Sequence, residues 1–172
     1  MGEKLSEDEK THKRTRTMTW EDPLPALMRA REMSGLEYLR AIQDGRIPMS
    51  PIGALVDMRL VEVSDGRAVF ELKPAEFHYN PIGSVHGGIA ATLLDSAMGC
   101  AINTMLPRGV SYTTLELKVN YVRPMTRDTG MVRAEGGVIH LGGRIALAEG
   151  RLVDAAGKLY AHATTTCLVI RG

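Results

Sequence analysis

The 172-residue chain has only two cysteines, Cys100 and Cys167, and no Cys-x-x-Cys pair. That argues against a disulfide-stapled scaffold, and two reduced thiols in a cytoplasmic protein are expected. An excess of charge of either sign is missing as well. Lys and Arg number 21 against 20 for Asp and Glu, a net charge of +1, which argues against a general binder of nucleic acid or acidic surfaces. The longest apolar run, from Gly87 to Pro107, is interrupted by Asp95, Ser96 and Asn103, and no membrane span is expected. The N-terminus lacks the apolar core of a signal peptide. His12, His78, His86, His140 and His162 are scattered without HxH, HExxH or Cys/His spacing, so no metal site is expected. Also missing are GxSxG, GxxxxGK[ST] and GxGxxG. Cys100 has Gly99 and Ala101 as neighbours; neither supplies a base, and packing is the better role for its thiol.

What is present fits one domain with a sizeable core. Gly2 to Arg16 is almost entirely polar and reads as a solvated arm. Helical spacing follows from Pro25 to Asp44, with a break at Ser34-Gly35, and Gly45, Pro48 and Pro51 end it. The expected division is an N-terminal arm, flexible or partly helical, over residues 1–35 and a domain over 36–172. Within the domain, Ala54–Val63 and Arg67–Lys73 read as strands joined by Ser64-Asp65-Gly66. After the apolar segment come Thr113–Val122, Thr129–His140, Arg144–Val153 and Lys158–Val169. Their short connections demand antiparallel pairing, since a parallel crossover needs a dozen or more residues. The order is helix, two strands, long apolar helix, four strands: an α+β fold with one antiparallel sheet wrapped on one helix.

That long helix is apolar nearly all round, as a buried helix is, and its single charge is Asp95. An ionisable group kept in such a place carries a desolvation cost and usually has a task. Gly87-Gly88 open the helix, where backbone N–H groups lack partners and the dipole favours negative charge. They read either as an oxyanion cradle or as a plain tight turn. Asp95 stands eight residues on, about 12 Å along the axis, too far for both to act on one carbonyl within one chain. If both are catalytic, two helices lie antiparallel in a two-fold dimer, with Asp95 of one beside Gly87 of the other. Asp95 alone reads equally as a structural acid. Asn80 is placed to orient a water or hold a substrate oxygen; His86 reads as an orienting group, an acid–base or a helix cap. Thr113 and Thr114 open the next strand, either supporting the carboxylate or serving as ordinary β-formers.

With these residues assembled, the chain resembles the PaaI-like branch of the hotdog-fold acyl-CoA thioesterases from about Leu36 to Val169. The resemblance is carried by HYNPIGSVHGGIAATLLDSAMGCA, TTLELKVNYVRP and GGRIALAEGRLVDAAGKLYAHAT. It implies a curved antiparallel sheet around the Asn80–Pro107 helix, dimers paired edge to edge and commonly a homotetramer, with active sites at the dimer interface. Residue by residue, it implies Asp95 as nucleophile or general base, Gly87 as oxyanion donor, Asn80 and His86 as their partners, and Thr113 at the hydroxyl position. Coenzyme A, part of the substrate and not a cofactor, would lie along Val138–Arg144, including His140, Gly142 and Gly143, with Arg144 or Arg123 meeting its phosphates. The implied activity is hydrolysis of an acyl- or aryl-CoA thioester. The alternatives are a hotdog hydratase acting on enoyl or hydroxyacyl thioesters, which the NPxGxVHGG loop disfavours, and a non-catalytic acyl-CoA sensor. The arm before Leu36 has too little apolar periodicity for the DNA-binding head of such a sensor.

Overall fold

The computed structural model describes residues 13–171; the part of the expected solvated arm before residue 13 lies outside the described residues. Arg16, at the end of that stretch, is anchored. Its guanidinium donates to the carbonyls of Leu55 at 2.8 Å and Ala54 at 3.2 Å, and lies 3.9 Å over the Phe77 ring.

Two short helices follow, α1 (Pro23–Ala30) and α2 (Gly35–Gln43). Asp22 caps α1, accepting from the Leu24 N–H. Ser34 and Glu37 form a reciprocal capping box on α2, which satisfies two otherwise orphaned N–H groups. The next segment departs from expectation. Residues 54–56 are not strand but the end of a short helix, α3 (Pro51–Val56). Pro51 presets the helical φ at its first position. Asp57, with φ 59° and ψ 41°, ends it in the left-handed region that an Asp tolerates better than most residues. The strand therefore starts later, as β1 (Met58–Ser64), and turns through Gly66 at φ +70° into β2 (Arg67–Leu72).

The long helix α4 spans Gly87–Thr104. After it come β3 (Val110–Tyr121), β4 (Val132–Leu141), β5 (Ile145–Asp154) and β6 (Leu159–Arg171). β4 begins later than the Thr129 expected, because Arg127–Thr129 closes a tight turn and Gly130 follows at φ +78°. All pairings are antiparallel, in the order β1-β2-β4-β5-β6-β3. This is the hotdog arrangement: one curved sheet around one helix, with β1 and β3 at the edges.

Helix and sheet approach closely because of a glycine pair. Gly136 of β4 faces Gly150 of β5 in register. A Cβ on Gly136 would stand 2.3 Å from the Ala97 carbonyl oxygen of α4, and one on Gly150 3.0 Å from the Met98 side chain. Leu93, Leu94, Ala97, Met98, Ala101 and Ile102 of α4 are fully buried against the sheet, and burial on that scale holds the helix in place. Met98 is thus core filling, while Met105 is partly exposed at the helix end. Among the described residues, no helix is long and apolar enough to cross a membrane.

Candidate active site

The site begins in the loop before α4. Asn80 stitches this loop together. Its Oδ1 accepts from the N–H groups of Ile82 at 3.0 Å and Ser84 at 3.3 Å, and its Nδ2 donates to Ser84 Oγ at 3.1 Å. The Asn80 side chain therefore shapes the loop. His78 anchors the same loop from beneath. Its buried ring accepts at Nδ1 from the Ala75 N–H, and Nε2 donates to the Val56 carbonyl at 2.9 Å. Burial holds its pKa below the usual 6.5, and its carbonyl receives the His86 N–H at 2.8 Å.

His86 is the N-cap of α4, with Nδ1 accepting from the Gly88 N–H at 2.8 Å. An acceptor role at Nδ1 puts the proton of the neutral ring on Nε2, on an exposed side chain. The Gly88 N–H is thereby used. The Gly87 N–H makes no hydrogen bond among the described residues and is one of the unpaired donors at the helix's positive end.

A residue with no motif of its own in the sequence lies against Gly87. The Tyr121 hydroxyl of β3 donates to the Gly87 carbonyl at 3.1 Å, across 34 positions. A Cβ on Gly87 would meet the Tyr121 ring at 3.1–3.2 Å, so this contact favours glycine there. Nothing in the local pattern announces that pairing. Together with Arg123, Met125 and Tyr160, these residues border a cleft of about 280 Å³. The Arg123 guanidinium donates to the Leu159 carbonyl at 2.5 Å.

Asp95 lies eight residues along the same unbroken helix, about 12 Å from Gly87. It is half-buried. Its Oδ1 accepts from Thr114 Oγ1 at 3.0 Å, and no other hydrogen bond reaches its carboxylate among the described residues. The hydroxyl beside Asp95 therefore belongs to Thr114; the Thr113 position implied by the resemblance faces outward and is exposed. The Cys100 thiol is pushed up to about 12, first by burial and then by the Asp95 charge. That disqualifies it as a nucleophile near neutral pH.

The third group of expected residues is elsewhere. Val138 packs toward Gly66, whose N–H donates to Thr104 Oγ1 at the far end of α4. The β4–β5 hairpin with His140, Gly142, Gly143 and Arg144 extends from there. Within one chain, then, the structure leaves three separate stations: Asn80, His86, Gly87 and Arg123 at the start of α4, Asp95 with Thr114 midway, and Val138–Arg144 at its end. Among the described residues no three His, Cys, Asp or Glu side chains gather as a metal site.

Comparison with known proteins agrees with this fold. The family model described as the thioesterase superfamily matches residues 82–161, from the loop before α4 into the start of β6. Acyl-coenzyme A thioesterase 13 of Homo sapiens is 31% identical over 108 residues, covering 62% of this chain and 76% of that protein. A variant of the phenylacetic acid degradation protein PaaI from Thermus thermophilus superposes with TM-score 0.63 at 28% identity, covering 69% of this chain and 98% of that one. The E. coli PaaI protein, at 19% identity, shares the fold with TM-score 0.70 over 81% of this chain and 98% of its own. The chain belongs to the thioesterase superfamily.

Proposed function

We propose that this thioester hydrolase acts on acyl-CoA, splitting the thioester to a free acid and coenzyme A. The observation that carries the reading is Asp95: a half-buried carboxylate on an otherwise apolar helix, one oxygen held by Thr114 and the other free of hydrogen bonds among the described residues. The Gly87 N–H polarises the thioester carbonyl, helped by the α4 dipole, and His86 Nε2–H stands beside it as an orienting donor. Asp95 either attacks the carbonyl carbon and expels the thiolate, leaving an acyl–Asp95 anhydride that water then hydrolyses to the free acid, or takes a proton from a water that attacks that carbon and expels the thiolate. The thiolate leaves without a strong general acid. The human relative, named an acyl-coenzyme A thioesterase, supports the choice of substrate class.

One helix cannot bring Gly87 and Asp95 to the same carbonyl, so each site takes Gly87 from one chain and Asp95 from another. β3 ends the sheet with an edge unpaired among the described residues, the kind of edge that seeks a partner strand. Pairing two copies through β3 about a two-fold axis sets the two α4 helices antiparallel and makes two equivalent sites. The same pairing carries one chain's Val138–Arg144 hairpin toward its partner's Gly87 station, where coenzyme A would lie with Arg123 or Arg144 near its phosphates. Two such dimers form the proposed homotetramer. No further cofactor is needed for this chemistry, and the cytoplasm, where acyl-CoA is made and used, is the proposed compartment.

The test is release of free thiol, read with DTNB, from aromatic, short-chain and medium-chain CoA thioesters. Release above the uncatalysed rate from at least one class is expected. A protein that binds these thioesters but frees no thiol would sink the hydrolytic reading.

A further inference from the structure

α4 and β3 run past each other in opposite directions and meet in rungs. Asp95 meets Thr114. One turn further along the helix, Gly99 meets Tyr112: a Cβ on Gly99 would stand 2.6 Å from the Tyr112 hydroxyl oxygen. One turn beyond that, Asn103 and Val110 border a pocket of about 310 Å³. Its outer wall is the α1–α2 hairpin, through Leu27, Met33 and Tyr38, a segment outside the residues matched by the family model. Tyr112 touches both sides, lining the pocket while sitting two residues from Thr114 on the same face of β3.

Tyr112 thus stands between the Asp95 carboxylate and the pocket. Its hydroxyl makes no hydrogen bond among the described residues, so the ring is seated by packing alone, against Gly99 and the core. We propose that Tyr112 closes the acyl end of the site, so that the enzyme takes short or compact acyl groups and turns away long ones. This rests on the thioesterase reading with Asp95 at the reacting carbonyl. Deleting the ring joins the site to the pocket behind it. The added depth is at least one helical turn, about 5.4 Å, or room for about four methylenes at ordinary C–C spacing.

The experiment compares wild type, Tyr112→Ala and Tyr112→Phe on straight-chain thioesters from acetyl-CoA to dodecanoyl-CoA. Each methylene newly buried is worth roughly fourfold in affinity. Allowing for imperfect packing, the decanoyl-to-butyryl ratio of kcat/KM should rise at least about tenfold in Tyr112→Ala. Tyr112→Phe keeps the ring and should keep the wild-type ratio. Should Tyr112→Ala not fold, Tyr112→Val, a good strand former, replaces it. An unchanged ratio in the folded small variant, or a wild type that handles dodecanoyl-CoA as well as butyryl-CoA, overturns the proposal. Calorimetry with non-hydrolysable alkyl-CoA thioethers of the same lengths separates the two claims. A length limit in binding that Tyr112→Ala lifts, without any turnover, supports the role of Tyr112 and removes the hydrolytic reading. Turnover with no length limit does the reverse, and neither turnover nor binding overturns both.

Discussion

Asp95→Asn separates chemistry from architecture more cleanly than any other change in this chain. The substitution keeps shape and removes charge. Thr114 Oγ1, now 3.0 Å from Oδ1, can still donate to the amide oxygen of Asn, so the link between α4 and β3 survives. On stability, losing a half-buried charge from an apolar helix relieves desolvation and weakens one charge-assisted hydrogen bond. The two are opposed and similar in size, so the unfolding free energy should move by no more than about 1 kcal/mol. On rate, loss of the base or nucleophile should cost at least about 10², equivalent to roughly 2.7 kcal/mol of transition-state stabilisation. A large loss of rate with unchanged stability is the signature of a functional group. The assay pairs DTNB initial rates at saturating substrate with urea unfolding of the same preparation. Retention of more than about a tenth of wild-type turnover, against the loss expected of a reacting group, refutes the mechanism. So does destabilisation by several kcal/mol, which would mark Asp95 as a structural acid.

Thr114→Val should lower kcat by about ten- to a hundredfold, the worth of a hydrogen bond to a charged group, whereas Thr113→Val, on the exposed face, should stay near wild type; equal effects would mean that the Asp95 contact does not matter. His86→Ala should cost on the order of tens-fold in turnover, less than Asp95→Asn, and about 1 kcal/mol of stability through the lost cap; a loss as large as that of Asp95→Asn would move His86 into the proton transfer. Stability should also depend on pH through His78, whose pKa burial lowers from 6.5. The folded state then binds fewer protons than the unfolded chain below pH 6.5, so this contribution is complete above that value and shrinks as pH falls toward the lowered one. Urea unfolding at about pH 7.5 and 5.5 reads it, above the windows of Glu37, Glu62 and Asp154, whose partners hold them below 4.5, 4.5 and 3.8; a His78→Gln variant with an undiminished slope would contradict it. Finally, mixing Asp95→Asn chains with Asn80→Ala chains that carry a bulky residue at Gly87 should restore roughly a quarter of wild-type activity, since about half the dimers are mixed and each has one intact site; confirmed subunit exchange without recovery would mean that sites are not shared.

Most of the frame was legible because it rests on strong local signals. α4 declares itself by being apolar on every face, and the sheet's antiparallel order follows from connections too short for a crossover. The misplaced start of β1 shows where such signals fail. A short apolar run such as residues 54–56 suits helix and strand alike. Two flanking residues decide it: Pro51 at the first helical position and Asp57 in the left-handed region. Tyr121 was illegible for another reason. Its hydrogen bond to Gly87 joins residues 34 apart through the curvature of the whole sheet, which no local periodicity encodes.

The choice between Thr113 and Thr114 turns on one residue of register. On β3, Leu117 and Val119 face the core side. Counting back from them in twos, as strand alternation instructs, turns Leu115 and Thr113 inward and Thr114 out to solvent. The structure does the opposite. Pairing with β6 slips between Thr114 and Glu116, so Leu115 and Glu116 both face outward. An extra residue in one strand reverses the phase on its far side. Tyr112 and Thr114 thereby come inward together, one against Gly99 and the other against Asp95. The irregularity thus places two side chains at once: the hydroxyl that holds the carboxylate and the ring that stands at its back. Neither lies inside without it, so the position of the bulge sets both the reacting group's support and the depth of the space beside it.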